Sequence, residues 1–326
     1  MTPNPSRGLG GGGDGHGFDM SYRLDVQQRV SRSVAACIDG ELEKAVESLS
    51  VTDPAERPSA VHDARKRIKK ARSALRLVRS DLDKGMARSI NDELREVALS
   101  LSGRRNADVL VATVDALHDR FPGQVPATTF DALRERLADQ AARHGSVHDT
   151  TAQIERLEAI RTRLADATFK RVKWSTVQAG IDRSYRRGRK GSERAGAGTE
   201  ALHEWRKRAK DLWYHHRLIK DAHPTVAGAY AKDAHRLSDL LGDDHDLAML
   251  RATIVHQDPP AATAPVDLDP VVDLIDERRA ELQAEARRLA QRLYAERPKA
   301  FSRRTRAYLR AFADEGRAAR RAAPTA

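Results

Sequence analysis

The sequence predicts an all-α fold, and three observations predict it. Ala, Leu and Arg, all strong helix formers, are abundant, while aromatic residues make up only 5% of the 326 positions. Apolar residues recur at intervals of three and four over most of the chain, the period of a helix with one buried face. A long segment also appears twice at a spacing of roughly 140 residues, too long for a solenoid and suited to two small helical bundles. Hydrophobic residues reach 40%, enough for a core, although charged residues reach 32%.

The periodicity places helices in order. Residues 22–49 form an amphipathic helix with Val26, Val30, Ile38, Leu42, Val46 and Leu49 on one side. Asp53, Pro54 and Pro58 break it, and a second helix follows over 59–82 with Ser59 as its N-cap. Further helices are predicted over 87–101, 106–120, 129–143 and 147–168. A second unit opens near Phe169 with helices over 172–189, 199–221, 226–241 and 246–256, then 271–294 and 299–321. Residues 188–198 read as a Gly-rich linker, 259–270 as a loop, and 1–20, with Gly10 to Gly13, as a flexible leader. The domain reading is therefore a leader 1–20, a first helical-bundle repeat 21–168 and a second 169–326.

The repeat is explicit. Val61, His62, Asp63, Ala64, Arg65, Lys66, Arg67, Ile68, Lys69 stands against Leu202, His203, Glu204, Trp205, Arg206, Lys207, Arg208, Ala209, Lys210. Downstream, the turn from Leu101 and Ser102 to Arg105 and Asn106 lies against that from Leu241 and Gly242 to His245 and Asp246. Asn106 and Asp246 read as N-caps of the helices that follow. If the two units pack about a pseudo-twofold axis, both repeated helices face one basic central channel.

Within each copy the cations are in phase. Val61, Ala64, Ile68, Ala71, Leu75, Val78 and Leu82 form a buried stripe; His62, Arg65, Lys69, Arg72, Arg76 and Arg79 form a second, displaced by one residue. One residue is about 100° around a helix, so the cations flank the core stripe at the edge of a groove. In the second copy Leu202, Trp205, Ala209, Leu212 and Ile219 are flanked by His203, Arg206, Lys210, Arg217 and Lys220, with Trp213 replacing one cation; Lys66 and Lys207 extend both stripes. Like charges at i,i+4 destabilise a helix by ~0.2–0.5 kcal/mol per pair, and no acid interleaves the first stripe. One such helix reads as a solvated face. Two in the same phase point to a polyanion, since Arg grips phosphate oxygens bidentately and Lys supplies point charge.

The net charge of +11 agrees with an anionic partner without identifying it. The basic run Tyr185 to Lys190 reads equally as part of the site and as a cationic helix end; that of Arg303, Arg304, Arg306 and Arg310 reads as a solvated face. One cysteine, Cys37, gives neither a disulfide framework nor a metal–cysteine cluster. No stretch is apolar enough for a secretory signal or a bilayer span, so a soluble cytoplasmic protein without membrane association is expected. His215, His216, His235 and the Asp243 to Asp246 segment form a weak metal candidate, but His216 falls on the core stripe and no metal-ligand pairing is present; neither metal nor cofactor is expected. Without a Walker loop or a nucleophile–base pair, no catalytic residues are expected either. Nonspecific binding to a nucleic-acid backbone remains the rival reading, weakened by the scarcity of aromatics for base stacking.

The segments from His62 to Lys69 and from His203 to Lys210, each His-x-x-Arg-Lys-x-x-Lys, together with the turns at Ser102 and Gly242, resemble the CHAD domain family over residues 22–321. The resemblance implies two helical bundles around a basic pore, non-catalytic binding of inorganic polyphosphate and association with polyphosphate granules and their proteins. Carried over by position, the implied contacts are His62, Arg65, Lys66, Lys69, Arg72 and Arg76 in the first copy. In the second they are His203, Arg206, Lys207, Lys210 and Arg217, with Tyr185, Arg186 and Arg189 from the preceding helix. The family's Gly-x-x-Arg-Asp-x-Asp turn is altered, with Ser102 and Asn106 in one copy and His245 and Ala248 in the other. The β-rich triphosphate-handling domain to which the family is often fused has no counterpart in these residues.

Overall fold

The structure, a computed structural model, describes residues 22–102, 105–143, 149–166, 169–256 and 267–322. It is all-α, with no strand among the described residues. The helices are α1 (Val30–Leu49), α2 (Arg57–Val78), α3 (Lys84–Ser100), α4 (Arg105–Arg120), α5 (Ala127–Arg143) and α6 (Thr151–Asp166). They continue with α7 (Trp174–Glu193), α8 (Thr199–Leu218), α9 (Pro224–His256), α10 (Asp269–Leu293) and α11 (Pro298–Ala322). The predicted leader 1–20, the side chain of Asn106 and most of the predicted loop 259–270 lie outside the described residues.

Four of the differences from the sequence reading have a clear local reason. Helix α1 starts at Val30 because residues 22–29 are held by tertiary bonds: Leu24 N–H donates to Leu218 O at 2.8 Å, and the Tyr22 hydroxyl to Lys70 O at 3.0 Å. Ser59 is not an N-cap, since α2 begins at Arg57 with Pro58 in its first turn. The expected linker at 188–198 begins inside α7, which runs through Gly188 and Gly191 to Glu193. At those two positions a Cβ would strike the Tyr294 hydroxyl and the Trp205 ring, so the glycines serve close packing rather than a break. Finally, 226–241 and 246–256 are one helix, α9, and Asp246 sits in its interior, not at a cap.

Helix α2 is the hub. Its buried side chains Ala64, Ile68, Ala71, Leu75 and Val78 are the predicted stripe, packed against α1. The helix also touches α3, α7 and α8. Beyond the hub, α4 and α5 pair with each other while α4 rests on α9 and α10, where Arg120 Nη2 meets Glu281 Oε1 at 2.6 Å. The helices before and after residue 168 therefore interlock.

The crossing of α7 on α2 is close. A Cβ at Gly180 would fall on the Leu77 carbonyl. Arg183 Nη2 donates to Arg76 O at 3.0 Å and Leu77 O at 3.1 Å, closing carbonyls that the last turn of α2 leaves without helical partners. His215 of α8 completes the contact: its Nε2–H donates to Ser73 O at 3.0 Å, and its Nδ1 lies 2.7 Å from Ser184 Oγ. Burial drives its pKa down to about 4 against the opposing pull of Asp211, which leaves the ring neutral. His216, whose Nδ1–H donates to Leu212 O at 3.0 Å, is likewise pushed by burial to about 4.

Two outcomes are expected. Gly180→Ala should lower stability by about 1–3 kcal/mol in chemical denaturation, because α7 must move off α2. The depressed histidines make stability complete above the ordinary histidine pKa of about 6.5 and lost as pH falls through it towards about 4. In that window unfolding takes up as many as two protons per molecule, one per ring, which calorimetric melting points measured across pH 4–7 will read.

Candidate functional site

The flank predicted on α2 is present and lies along α3. Arg65 donates from Nη1 to Ala98 O at 2.5 Å and to Ser102 Oγ, so its guanidinium closes the C-terminal end of α3. Two helical turns on, Arg72 Nε reaches Asn91 Oδ1 at 3.3 Å. His62, Lys66 and Lys69 are half-buried on the same flank, Lys66 lying 3.5 Å from Asp63.

The flank of α8 lies along α9 in the corresponding way. The Arg206 guanidinium packs on the backbone at Gly242, where a Cβ would sit 3.3 Å from Nη2. His203 meets His245 with ring centroids 4.6 Å apart. Lys207 pairs with Glu204 at 2.5 Å, and Lys210 is half-buried. Arg217 stands over the rings of Tyr22 and Trp213, 5.5 and 5.8 Å from their centroids.

The two flanks are joined where α2 touches α8. Asp211, 6% exposed, accepts from Arg76 Nε at 3.1 Å and from Arg208 Nη1 at 3.2 Å. Burial alone would raise this carboxyl's pKa; the charge and hydrogen bonds of Arg76 and the charge of Arg208 bring it below the usual range. The charge of Asp211 also acts on Arg72, Arg183 and Arg187. One buried carboxylate thus acts on five guanidinium groups from α2, α7 and α8, with Asp92 reaching Arg72 and Glu204 reaching Arg187 and Arg208 at the periphery. Arg72 shows the deficit: burial, then Arg76 and Arg95, lower its pKa to about 10. Arg183 and Arg187 are lowered for the same reasons, desolvation first and neighbouring arginines next.

The predicted residues of α7 divide. Tyr185 does not belong to the site: it is 0% exposed, stacks on Phe301 at 3.8 Å, and its hydroxyl donates to Glu296 O at 2.7 Å. Arg189 turns the same way, donating to Tyr294 O and Glu296 O at 3.3 and 3.1 Å, and secures the corner between α10 and α11. Arg186 is exposed and lies within electrostatic reach of Arg183. Sequence reasoning missed Arg183, along with Arg208, Asn91, Asp211 and His245, and reached Arg187, one turn beyond Arg183 on α7, only as a member of the basic run from Tyr185 to Lys190. Their signal was available only as an i,i+4 arginine pair on the unrepeated helix; which face of α7 meets α2 depends on Gly180.

The histidines of the metal candidate have separate surroundings. His215 faces Ser73 and Ser184; His216 stacks on Tyr230 with centroids 5.0 Å apart; His235 pairs with Asp239 at 2.9 Å. No cluster that could hold a metal ion occurs among the described residues. Asp243 has its pKa raised to about 6 by burial and by Asp239 and Asp246. On α11, Arg303, Arg306 and Arg310 are exposed, as expected for a solvated face, while Arg304 pairs with Glu296 at 2.6 Å. No helix among the described residues is long and apolar enough to cross a membrane.

Comparison with known proteins adds the following. Residues 40–255 match the family described as the CHAD domain. Two Mycobacterium tuberculosis proteins, from strains CDC 1551 / Oshkosh and ATCC 25618 / H37Rv and each described as uncharacterized, are 30% identical, the match covering 75% of this chain and 51% of theirs. The chain therefore spans about half the length of these curated relatives. The crystal structure of the CHAD domain from the plant Ricinus communis is similar with a TM-score of 0.49 and 19% identity, over 89% of this chain and 94% of that one.

Asp211→Asn should reveal the charge deficit. Removing the buried carboxylate leaves half-buried Arg76 without its acid and Arg208 with Glu204 alone, at a cost of about 3 kcal/mol in urea denaturation. The loss should shrink as added salt screens the arginines.

Proposed function

The chain belongs to the CHAD domain family, and from that premise we propose that it binds inorganic polyphosphate along the basic flanks of α2 and α8 without turning it over. The observation that carries the reading is the imbalance around Asp211, where five arginines from three helices share one buried carboxylate, with only Asp92 and Glu204 beside it at the periphery. The guanidinium groups of Arg72, Arg76, Arg183 and Arg208 are already partly desolvated and held by backbone or side-chain acceptors, so an arriving anion gains charge-assisted bonds without ordering free side chains. A linear polyanion suits two helical flanks that meet at one crossing, because successive phosphates can meet His62, Arg65, Lys66, Lys69, Arg72 and Arg76, then Lys210, Arg206, Lys207 and His203, with Arg217 alongside. Binding without turnover fits a site built of cations, with no nucleophile–base pair among them. A cytoplasmic protein held at polyphosphate granules, in contact with granule proteins, is the setting this reading proposes.

Nucleic acid offers phosphates too, and is the second reading. Against it stands the position of the aromatic rings: no Phe, Trp or Tyr among the described residues is exposed, so bases find no stacking platform.

Competition separates the two. At physiological salt, long-chain polyphosphate should displace bound duplex or single-stranded DNA at far lower phosphate concentration than DNA displaces polyphosphate; the reverse order contradicts the proposal. Replacing Lys66, Lys69, Lys207 and Lys210 together by Glu should abolish binding and leave the helical circular dichroism intact. Polyphosphate chain length should stay unchanged after incubation with the protein and magnesium, with or without nucleotide.

A further inference from the structure

Two runs of exposed charge stand outside the junction, and neither is balanced within the chain. On α11, Lys299, Arg303, Arg306 and Arg310 are exposed at intervals of three and four, and the first acid of that helix is Asp314. On α10, Asp269, Asp273 and Glu277 are exposed at intervals of four. Their neighbours are paired: Asp276 with Arg251 at 2.9 Å, and Arg304 with Glu296 at 2.6 Å. Arg306 donates to Gln178 Oε1 at 3.3 Å and stands near Asp182 of α7. No ion pair among the described residues uses Lys299, Arg303 or Arg310 on the one helix, or Asp269, Asp273 or Glu277 on the other.

Both runs carry a cost. Cations in the first turns of α11 oppose the helix dipole, and like charges three or four residues apart repel by ~0.2–0.5 kcal/mol per pair. The acidic run begins in favour of the dipole at Asp269 but continues to Glu277, beyond the first turn where the dipole compensates. The two runs do not relieve each other within one molecule. Helix α11 packs on α7, and the acidic run lies at the far end of α10, roughly 30 Å of helix from the turn into α11. Between molecules they match in length: the acids span about 12 Å of helix and Arg303 to Arg310 about 10 Å. Neither stretch exposes a large hydrophobic residue, so charge is what either can offer a partner.

We propose that the acidic run of α10 in one copy of this chain docks on the basic run of α11 in another. The partner is a second copy because the chain itself carries the surface that complements α11 in sign and spacing. The two faces differ, so the contact is head-to-tail: it repeats from copy to copy, closing into a ring if the rotation allows and otherwise extending as an open chain. It uses none of the residues assigned to polyphosphate and stands independently of that reading.

The test is sedimentation velocity on the full chain, free of polyphosphate and nucleic acid, over a concentration series. At low ionic strength the mean mass should rise with concentration, and it should return to that of the monomer at ~0.5 M salt, where screening reaches only a few ångströms. A basic-face variant (Lys299→Glu, Arg303→Glu, Arg310→Glu) and an acidic-face variant (Asp273→Lys, Glu277→Lys) should each associate at least about tenfold more weakly alone. Mixed in equal amounts, they should associate again, because each then meets the opposite charge. The basic-face variant puts acids near a helix N-terminus, which favours its folding. If the acidic-face variant does not fold, Asp273→Asn with Glu277→Gln tests the same loss. A wild-type chain that stays monomeric at low salt overturns the contact. So does a basic-face variant that associates as wild type does, or a mixture of folded variants that stays apart.

Discussion

The meeting of α2, α7 and α8 around Asp211 is the constraint on which the rest of the structure depends. Bringing three cationic helices together is costly: each contributes arginines that lose water and repel one another. The fold offsets this with one buried carboxylate, with backbone carbonyls at the end of α2 that accept from Arg183, and with close helix contact where Gly180 lets α7 settle on Leu77. Neutral His215 fits here because a charged imidazole would add to an excess already uncompensated. The compensation is incomplete, and on the proposed reading that incompleteness is the chemical basis for anion binding. A fully balanced junction would be more stable and would have no use for a ligand.

How much of this was legible in the sequence follows from what periodicity can encode. The three- and four-residue spacing of apolar residues marked the buried faces of α2 and α8, and the displacement of the cations by one position marked their flanks. Both readings depend only on a helix's own geometry. Helix ends were harder to read, because tertiary contacts decide them. Gly188 and Gly191 look like a linker until Tyr294 and Trp205 are seen filling the space beside them. Gly242 looks like a turn until Arg206 is found lying on it. Tyr185 followed its basic neighbours into the predicted site, although its ring belongs to the core formed with Phe301 and Tyr294.

The site's missing members share a cause. Arg183 and Arg187 lie outside the repeated segment, and Asp211 is an acid in a region scanned for cations. Their importance comes from packing across the chain, as when Arg76 meets a residue 135 positions away. Repetition in sequence located the two flanks, whereas the junction between them is specific to this three-helix contact.

The central claim is spatial, so the most direct measurement is a crystal structure of the chain with bound polyphosphate. The account predicts a continuous line of phosphorus density along α2 and α8, within hydrogen-bond reach of Lys66, Lys69, Lys207 and Lys210. That line should cross between the helices beside Arg76 and Arg187. Density confined to the exposed arginines of α11, or none at saturating polyphosphate, would contradict it.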